Sequence, residues 1–249
     1  MSLETHFIDL NCDVGEGIGN EAFLFPHISS CNIACGGHAG DAASMLQTAR
    51  LAQKHQVHIG AHPSYPDREG FGRKTLEMNG EEFRESIGRQ IDALLGQLSI
   101  LKAPLHHIKA HGALYNDLAA GGTLALDYLQ VLEPFRKQAL VFAPCGSRFA
   151  GLSREHGFKV WEEAFADRAY APDGSLVSRK NQGAVLTDPK DVSRQVKEMV
   201  HDNRVRCNDG SYFPLRADTF CLHGDTPNAV EILKYLTKSL SRESIRIRK

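Results

Sequence analysis

No stretch of this 249-residue chain is apolar for long enough to cross a bilayer, and its opening MSLETHFIDLNCD lacks the basic-then-apolar layout of a secretory signal. Charge of one sign is lacking too: 29 Lys and Arg stand against 30 Asp and Glu, a formal net charge of -1. Neither a nucleic-acid nor a membrane partner is therefore expected, and the compartment expected is the cytoplasm. The six cysteines (Cys12, Cys31, Cys35, Cys145, Cys207, Cys221) include no C-x-x-C pair, and a core of this size needs no disulfide framework. Most lie in apolar strand-like runs, where a free thiol packs as a small hydrophobe. Cys31 and Cys35 share strand parity, which leaves a thiolate site as the lesser reading.

Several chemical signatures are missing as well. No G-x-x-x-x-G-K-[ST] loop occurs, since GFGRKT at 70–75 places an arginine between glycine and lysine, and a conventional nucleotide site loses its warrant. Neither H-E-x-x-H nor G-x-S-x-G is present, which removes the usual grounds for a zincin or a serine hydrolase. No low-complexity or Pro/Ser-rich linker interrupts the chain, so residues 1–249 are expected to form one domain.

What is present is an alternation of short apolar runs with longer helical patterns, the signature of repeated βα units. Strands are expected near 7–14, 30–36, 58–62, 106–111, 140–145, 159–165 and 219–223, and helices over 41–56, 80–101, 123–138, 147–156, 188–202 and 227–240. Asn208-Asp209-Gly210 marks a hairpin within 205–216, an excursion before the last strand. Thr226-Pro227 reads as N-cap and first residue of the final helix, Gly40-Asp41 as the opening of the first long one, and the basic tail SIRIRK as a solvated helix end. Two helix N-termini would then face the pocket mouth. Seven strands in this pattern predict an α/β fold, a distorted (β/α)7 TIM-like barrel.

In such a barrel the active site lies at the C-terminal strand ends, and polar residues gather there. The first strand ends in Asp9, Asn11 and Asp13, which share one parity and hence one face. His38 and Asp41 follow the second, His62 ends the third, and Lys109 and His111 lie two apart on the fourth. Glu163, Asp167 and Arg168 close the sixth, and His223 and Asp225 the last. One strand-end histidine is more often a packing residue than a catalyst. Several at equivalent ends of one barrel make a pocket suited to acid/base chemistry or metal binding, with a structural network as the competing reading.

The segments DLNCDVGEG, IACGGHAGD, IGAHPSYPDREGFGR, KAHGALYN, FADRAY, DGSLVSR and ADTFCLHGDTP together resemble the LamB/YcsF family. The resemblance implies a barrel related to glycoside hydrolase and deacetylase barrels. It also implies ATP-dependent opening of 5-oxo-L-proline to L-glutamate by the A subunit of a 5-oxoprolinase, working with B and C subunits. It adds Glu16, Asp67, Arg68 and Asn116 to the strand-end set. The family pattern is departed from at Gly37, Ala42 and Ala110.

On that basis partner subunits would activate the lactam with ATP and this chain would hydrolyse the activated ring. Asp13 or His38 would serve as base, Lys109 and Arg168 as anion partners, and His62, His111 or His223 as proton donor. Asp167 completes the expected catalytic set, while Asp9, Asn11, Glu16, Asp41, Asp67, Arg68, Asn116 and Asp225 are expected to bind substrate. Lys109→Met is expected to abolish turnover at little cost in stability. Two alternatives stay open: a stand-alone metal-dependent amidohydrolase or deacetylase with a divalent metal on Asp13, His38 and His62, and a non-catalytic lactam-binding regulatory partner.

Overall fold

Strand β1 (His6–Val14) carries two buried faces of opposite character. Ile8, Leu10, Cys12 and Val14 occupy one parity and Asp9, Asn11 and Asp13 the other, and all seven are buried. That pattern suits a closed barrel whose outer face packs on helices and whose interior is hydrogen-bonded. The structure, a computed structural model, describes residues 5–248 and shows such a barrel. β2 (Ser30–Ala34), β3 (His58–His62), β4 (His107–Lys109), β5 (Leu140–Pro144) and β6 (Val160–Phe165) follow in order, all parallel. β7 (Arg204–Arg206) and β8 (Tyr212–Pro214) form the expected antiparallel hairpin outside it. β9 (Thr219–Cys221) lies between β6 and β1 and closes the ring at seven strands.

The helices match their apolar periodicity. α1 (Glu21–Leu24) and α2 (Ala42–Lys54) precede α3 (Gly80–Leu101), which buries Phe83, Ile87, Ile91, Leu94 and Leu98. Asn79 caps α3 by accepting from the Glu82 amide, and Lys102 ends it in the left-handed region at φ 51. α4 (Gly112–Ala119), α5 (Thr123–Leu132), α6 (Arg148–Glu155), α7 (Pro189–Asp202) and α8 (Ala229–Arg242) complete the outer layer. No helix among the described residues is long and apolar enough to cross a membrane.

Four expectations are corrected. α4 begins directly after β4, where no helix is expected, because β4 is three residues long rather than six. The helix expected over 123–138 ends at Leu132 and gives way to a 3-10 turn over Glu133–Phe135, where Pro134 withholds an amide donor. Residues 245–247 form β10 (Ile245–Ile247), paired in parallel with the start of β1, instead of prolonging a helix; Ile-Arg-Ile alternates with period two. α8 starts at Ala229 after Asn228 in the left-handed region, and the Thr226 hydroxyl instead donates to Asp167.

The barrel interior is plugged by polar side chains. Asp9 accepts from Ser29, Ser30 and Thr219, and Asn11 donates to Glu163 and Thr219, each at 2.8 Å. His107 stacks on Phe142 with ring centroids 4.0 Å apart and its Nε2 donates to Asn32 at 2.7 Å. Gly60 pairs with His107 across β3 and β4, and a Cβ at residue 60 would overlap the imidazole. Gly60→Ala is therefore expected to destabilise the fold by about 1–3 kcal/mol through overpacking, read as a lower urea midpoint. An unchanged midpoint would mean that the His107 ring is free to move aside.

Candidate active site

The C-terminal ends of the barrel strands surround a cavity of about 670 Å³. Lys109, on β4, is its central charge although the residue is buried. Its Nζ lies 3.0 Å from Asp13 Oδ1 on β1 and 3.1 Å from Glu163 Oε1 on β6, and it donates to Cys221 Sγ at 3.1 Å on β9. Burial alone would discharge the amine, but the two carboxylates outweigh it and hold the lysine pKa well above its usual value. Burial likewise opposes the Asp13 charge, and His62 and Lys109 overcome it, keeping that carboxyl well below the ordinary range. Asn32 donates to both Asn11 and Asp13, at 2.8 and 2.7 Å, and so fixes the carboxylate that faces the lysine.

Three imidazoles and Glu16 form a second group. His62 Nδ1 lies 2.8 Å from the Lys109 carbonyl and His111 Nε2 lies 3.0 Å from the Phe71 carbonyl. A ring nitrogen facing a carbonyl carries the proton, because two acceptors repel. His111 Nδ1 is 3.0 Å from His62 Nε2 and 3.5 Å from Glu16 Oε1, and His38 Nε2 is 3.0 Å from the same Glu16 oxygen. His38 stacks on His111 with centroids 3.6 Å apart. Burial, then the neighbouring His62, pushes the His38 pKa down to about 3 and the His111 pKa well below its usual value, so both rings are neutral at pH 7.

A third group supplies an oriented base. His223 Nδ1 is 2.9 Å from Asp167 Oδ1, and Asp167 also accepts from the His223 amide at 3.0 Å and from Thr226. Burial raises the Asp167 pKa, but His223 and these hydrogen bonds lower it further, leaving a net depression. With Nδ1 protonated toward Asp167, Nε2 is the nitrogen left for chemistry at the cavity that His223 lines.

The family model described as LamB/YcsF matches residues 8–249. The chain belongs to the LamB/YcsF family. Among curated proteins it is similar to the 5-oxoprolinase A subunit of Pyrococcus furiosus, 42% identical over 245 residues and covering 96% of both chains. Among solved structures it is similar to the lactam utilization protein of Thermus thermophilus, with a TM-score of 0.90, 35% identity, and coverage of 97% of this chain and 98% of that one. A family 4 carbohydrate esterase from Streptomyces lividans shares the fold, with a TM-score of 0.51 at 10% identity over 100% of this chain and 94% of that one.

In this LamB/YcsF chain Asp13, Glu16, His62, Lys109, His111, Asn116, Arg168, His223 and Asp225 line the cavity. Asp167 stands behind His223, His38 behind Glu16, and Asn11 beneath Lys109. The remaining four residues do not line it. Asp9 is tied down among Ser29, Ser30 and Thr219, while Asp41 caps α2 at the surface through the Ser44 amide, so that this helix end does not open on the pocket. Asp67 accepts from the Gly70 amide and Arg68 donates to the carbonyls of Gly36 and Gly40, so both brace the loop instead. The helix expected at Thr226 likewise starts two residues beyond Pro227 and brings no first amides to the pocket. At Gly37 the space a side chain would enter is taken by the Gln90 amide, which pairs with the Ser64 backbone at 2.9 and 2.8 Å.

Sequence reasoning gave no role to Tyr115, Arg73 or Arg179, and none beyond its strand-end position to Glu163, yet all four line the cavity. Tyr115 Oη and Glu163 Oε2 are buried there without a hydrogen-bond partner. Arg73 pairs with Asp225 at 2.6 Å on the rim, with Arg179 3.9 Å from the same carboxylate. Tyr115 lies on the unexpected α4, while Arg73 and Arg179 sit in the motif segments GFGR and DGSLVSR without a strand end to mark them.

Two consequences can be measured. Lys109→Met would leave Asp13 and Glu163 buried without their cation, so a loss of about 3–5 kcal/mol is expected, against the small effect expected from sequence. Urea unfolding checks this, and Glu163→Gln added to Lys109→Met should recover part of the loss. Burial, then the Asp13 charge, raises the Glu16 pKa from 4.5 to about 7. The folded state then holds this proton more tightly than the unfolded state, so its contribution is complete below pH 4.5 and is lost as pH rises through 7. Glu16→Gln should flatten the decline in stability over that window.

Proposed function

We propose that this chain is the A subunit of an ATP-dependent 5-oxoprolinase and opens 5-oxo-L-proline to L-glutamate together with B and C partner subunits. The observation that carries this reading is the full-length similarity to a 5-oxoprolinase A subunit. The cavity supports it by combining an oriented imidazole, cationic rim residues and unpartnered buried polar atoms. Six free cysteines accord with a cytoplasmic compartment.

A five-membered lactam is an unstrained amide and resists water, so ATP is assigned to the activation of its carbonyl oxygen by phosphoryl transfer in partner subunits. Water then adds to the activated carbon and the ring C–N bond breaks, leaving an acyl phosphate of glutamate, which a second water cleaves to glutamate and inorganic phosphate. His223, with Nδ1 held by Asp167, takes the proton from water at Nε2 and returns it to the leaving nitrogen. His38 is unsuited to that role because Glu16 separates it from the cavity.

Lys109 is already matched by Asp13 and Glu163, so its charge positions those carboxylates. Substrate carboxylate and phosphoryl charge fall instead to Arg73, Arg168 and Arg179. Arg168 spends two donors on the carbonyls of Ala184 and Val177, which fixes the plane of its guanidinium against the cavity. Glu163 and Tyr115 lie beside each other at the cavity, where burial and then the Glu163 charge raise the tyrosine pKa well above its usual value, so the pair is placed to accept from and donate to the lactam ring.

The test is glutamate release from 5-oxoproline by the chain with and without co-purified B and C subunits and ATP. Turnover should require all of them. Asp167→Asn should lower kcat by about 10²–10⁴-fold while the circular dichroism spectrum is unchanged. Rapid ATP-independent release by the isolated chain would overturn the reading in favour of a stand-alone amidohydrolase.

A further inference from the structure

The His62–His111 contact is electrostatically incomplete. Each ring spends its proton on a backbone carbonyl, His62 Nδ1 on Lys109 and His111 Nε2 on Phe71. Two bare nitrogens, His62 Nε2 and His111 Nδ1, therefore face each other at 3.0 Å. Two lone pairs at that separation repel unless a cation lies between or beside them. Asp13 Oδ2 at 3.3 Å and Glu16 Oε1 at 3.5 Å add negative potential to the same spot.

The surroundings fit a metal ion better than a shared proton. Ligand atoms of Glu16, His38, His62 and His111 all lie within 4.8 Å of one another. Four donors at about 2.0–2.1 Å around a tetrahedral ion are about 3.3 Å apart, and the closest contacts here are 3.0, 3.0 and 3.5 Å. Both carbonyl bonds are of the kind that orient metal-binding imidazoles. His38 Nε2 faces Glu16 Oε1 at 3.0 Å, and its Nδ1 is buried with no hydrogen-bond partner.

We propose that Glu16, His38, His62 and His111 bind one divalent ion of the zinc class. Three imidazoles and one carboxylate favour Zn²⁺, Co²⁺ or Ni²⁺ over the oxygen-loving Mg²⁺ and Ca²⁺. Access is through the cavity, which Glu16, His62 and His111 line. A second group of donors, Asp13, Cys221 and His223, is also close enough, but the Lys109 ammonium already lies 3.0 Å from Asp13 and 3.1 Å from Cys221 and supplies the cation there. One alternative reading of the sequence offered Asp13, His38 and His62 as candidate ligands; the proposed site keeps both histidines and has Glu16 and His111 in place of Asp13. This site stands or falls independently of the lactam reading.

The experiment uses the untagged full chain, stripped with a chelator and titrated with Zn²⁺ by calorimetry and with Co²⁺ by visible absorption. One equivalent of Zn²⁺ and the d–d bands of a four- or five-coordinate Co²⁺ centre are expected. Glu16→Gln and His111→Asn should each weaken binding by at least about 100-fold, since partners one bond further out are alone worth about 10–100-fold. Zn²⁺ should also shift the imidazole nitrogen resonances of three histidines in the wild-type chain, a readout that survives if a variant does not fold. Absence of stoichiometric binding, unshifted imidazoles, or affinity unchanged in both folded variants would overturn the proposal.

Discussion

A positive charge buried inside a closed barrel is the constraint on which the rest of this molecule depends. An ammonium in that position costs several kcal/mol unless it is matched, and the chain matches Lys109 with carboxylates from two other strands. Those carboxylates need fixing in turn. Asn32 steadies Asp13, Asn11 steadies Glu163, His107 donates to Asn32, His62 donates to the Lys109 carbonyl, and Thr219 links Asn11 to Asp9. Every strand of the barrel except β5 supplies a polar group to this network, and β5 contributes the Phe142 ring on which His107 stacks. Stability and site geometry are consequently properties of one network.

This interior inverts the usual arrangement in which a barrel is filled by layers of branched apolar side chains. The apolar work is moved outward, into the annulus between strands and helices, where Leu10, Ile33, Ile87, Leu94 and Leu236 are fully or almost fully buried. Seven strands close a narrower ring than eight, and Gly60 gives up its side chain so that the His107 ring can fit. β10 covers the start of β1 beyond the reach of the three-residue β9, which removes an open strand edge.

The histidines divide by environment. His107 is a neutral structural donor in the barrel, with burial holding its pKa well below the usual value. His223 is oriented by a carboxylate and presents one free nitrogen to the cavity. His38, His62 and His111 are crowded against one another and against Glu16, and the protons of His62 and His111 are directed away from their common centre. One residue type thus fills three roles, because burial and the partner of each second nitrogen decide which lone pairs remain.

Much of the architecture was legible in the chain. All seven barrel strands follow from short apolar runs, α3 from its spacing of Phe83, Ile87, Ile91, Leu94 and Leu98, and the hairpin from Asn-Asp-Gly. Parity alone placed Asp9, Asn11 and Asp13 on one face and Lys109 with His111 near another strand end, since side-chain direction in a strand is a local property. Sequence could not tell that Asp9 lies at the closed end of the plug, that Asp41, Asp67 and Arg68 brace loops, or that Lys109 is bound between two carboxylates. Nor could it pair the bare nitrogens of His62 and His111, 49 positions apart. Period and parity act within one element and are written in consecutive residues, whereas depth, charge matching and proton direction arise between strands and exist only once the barrel has closed.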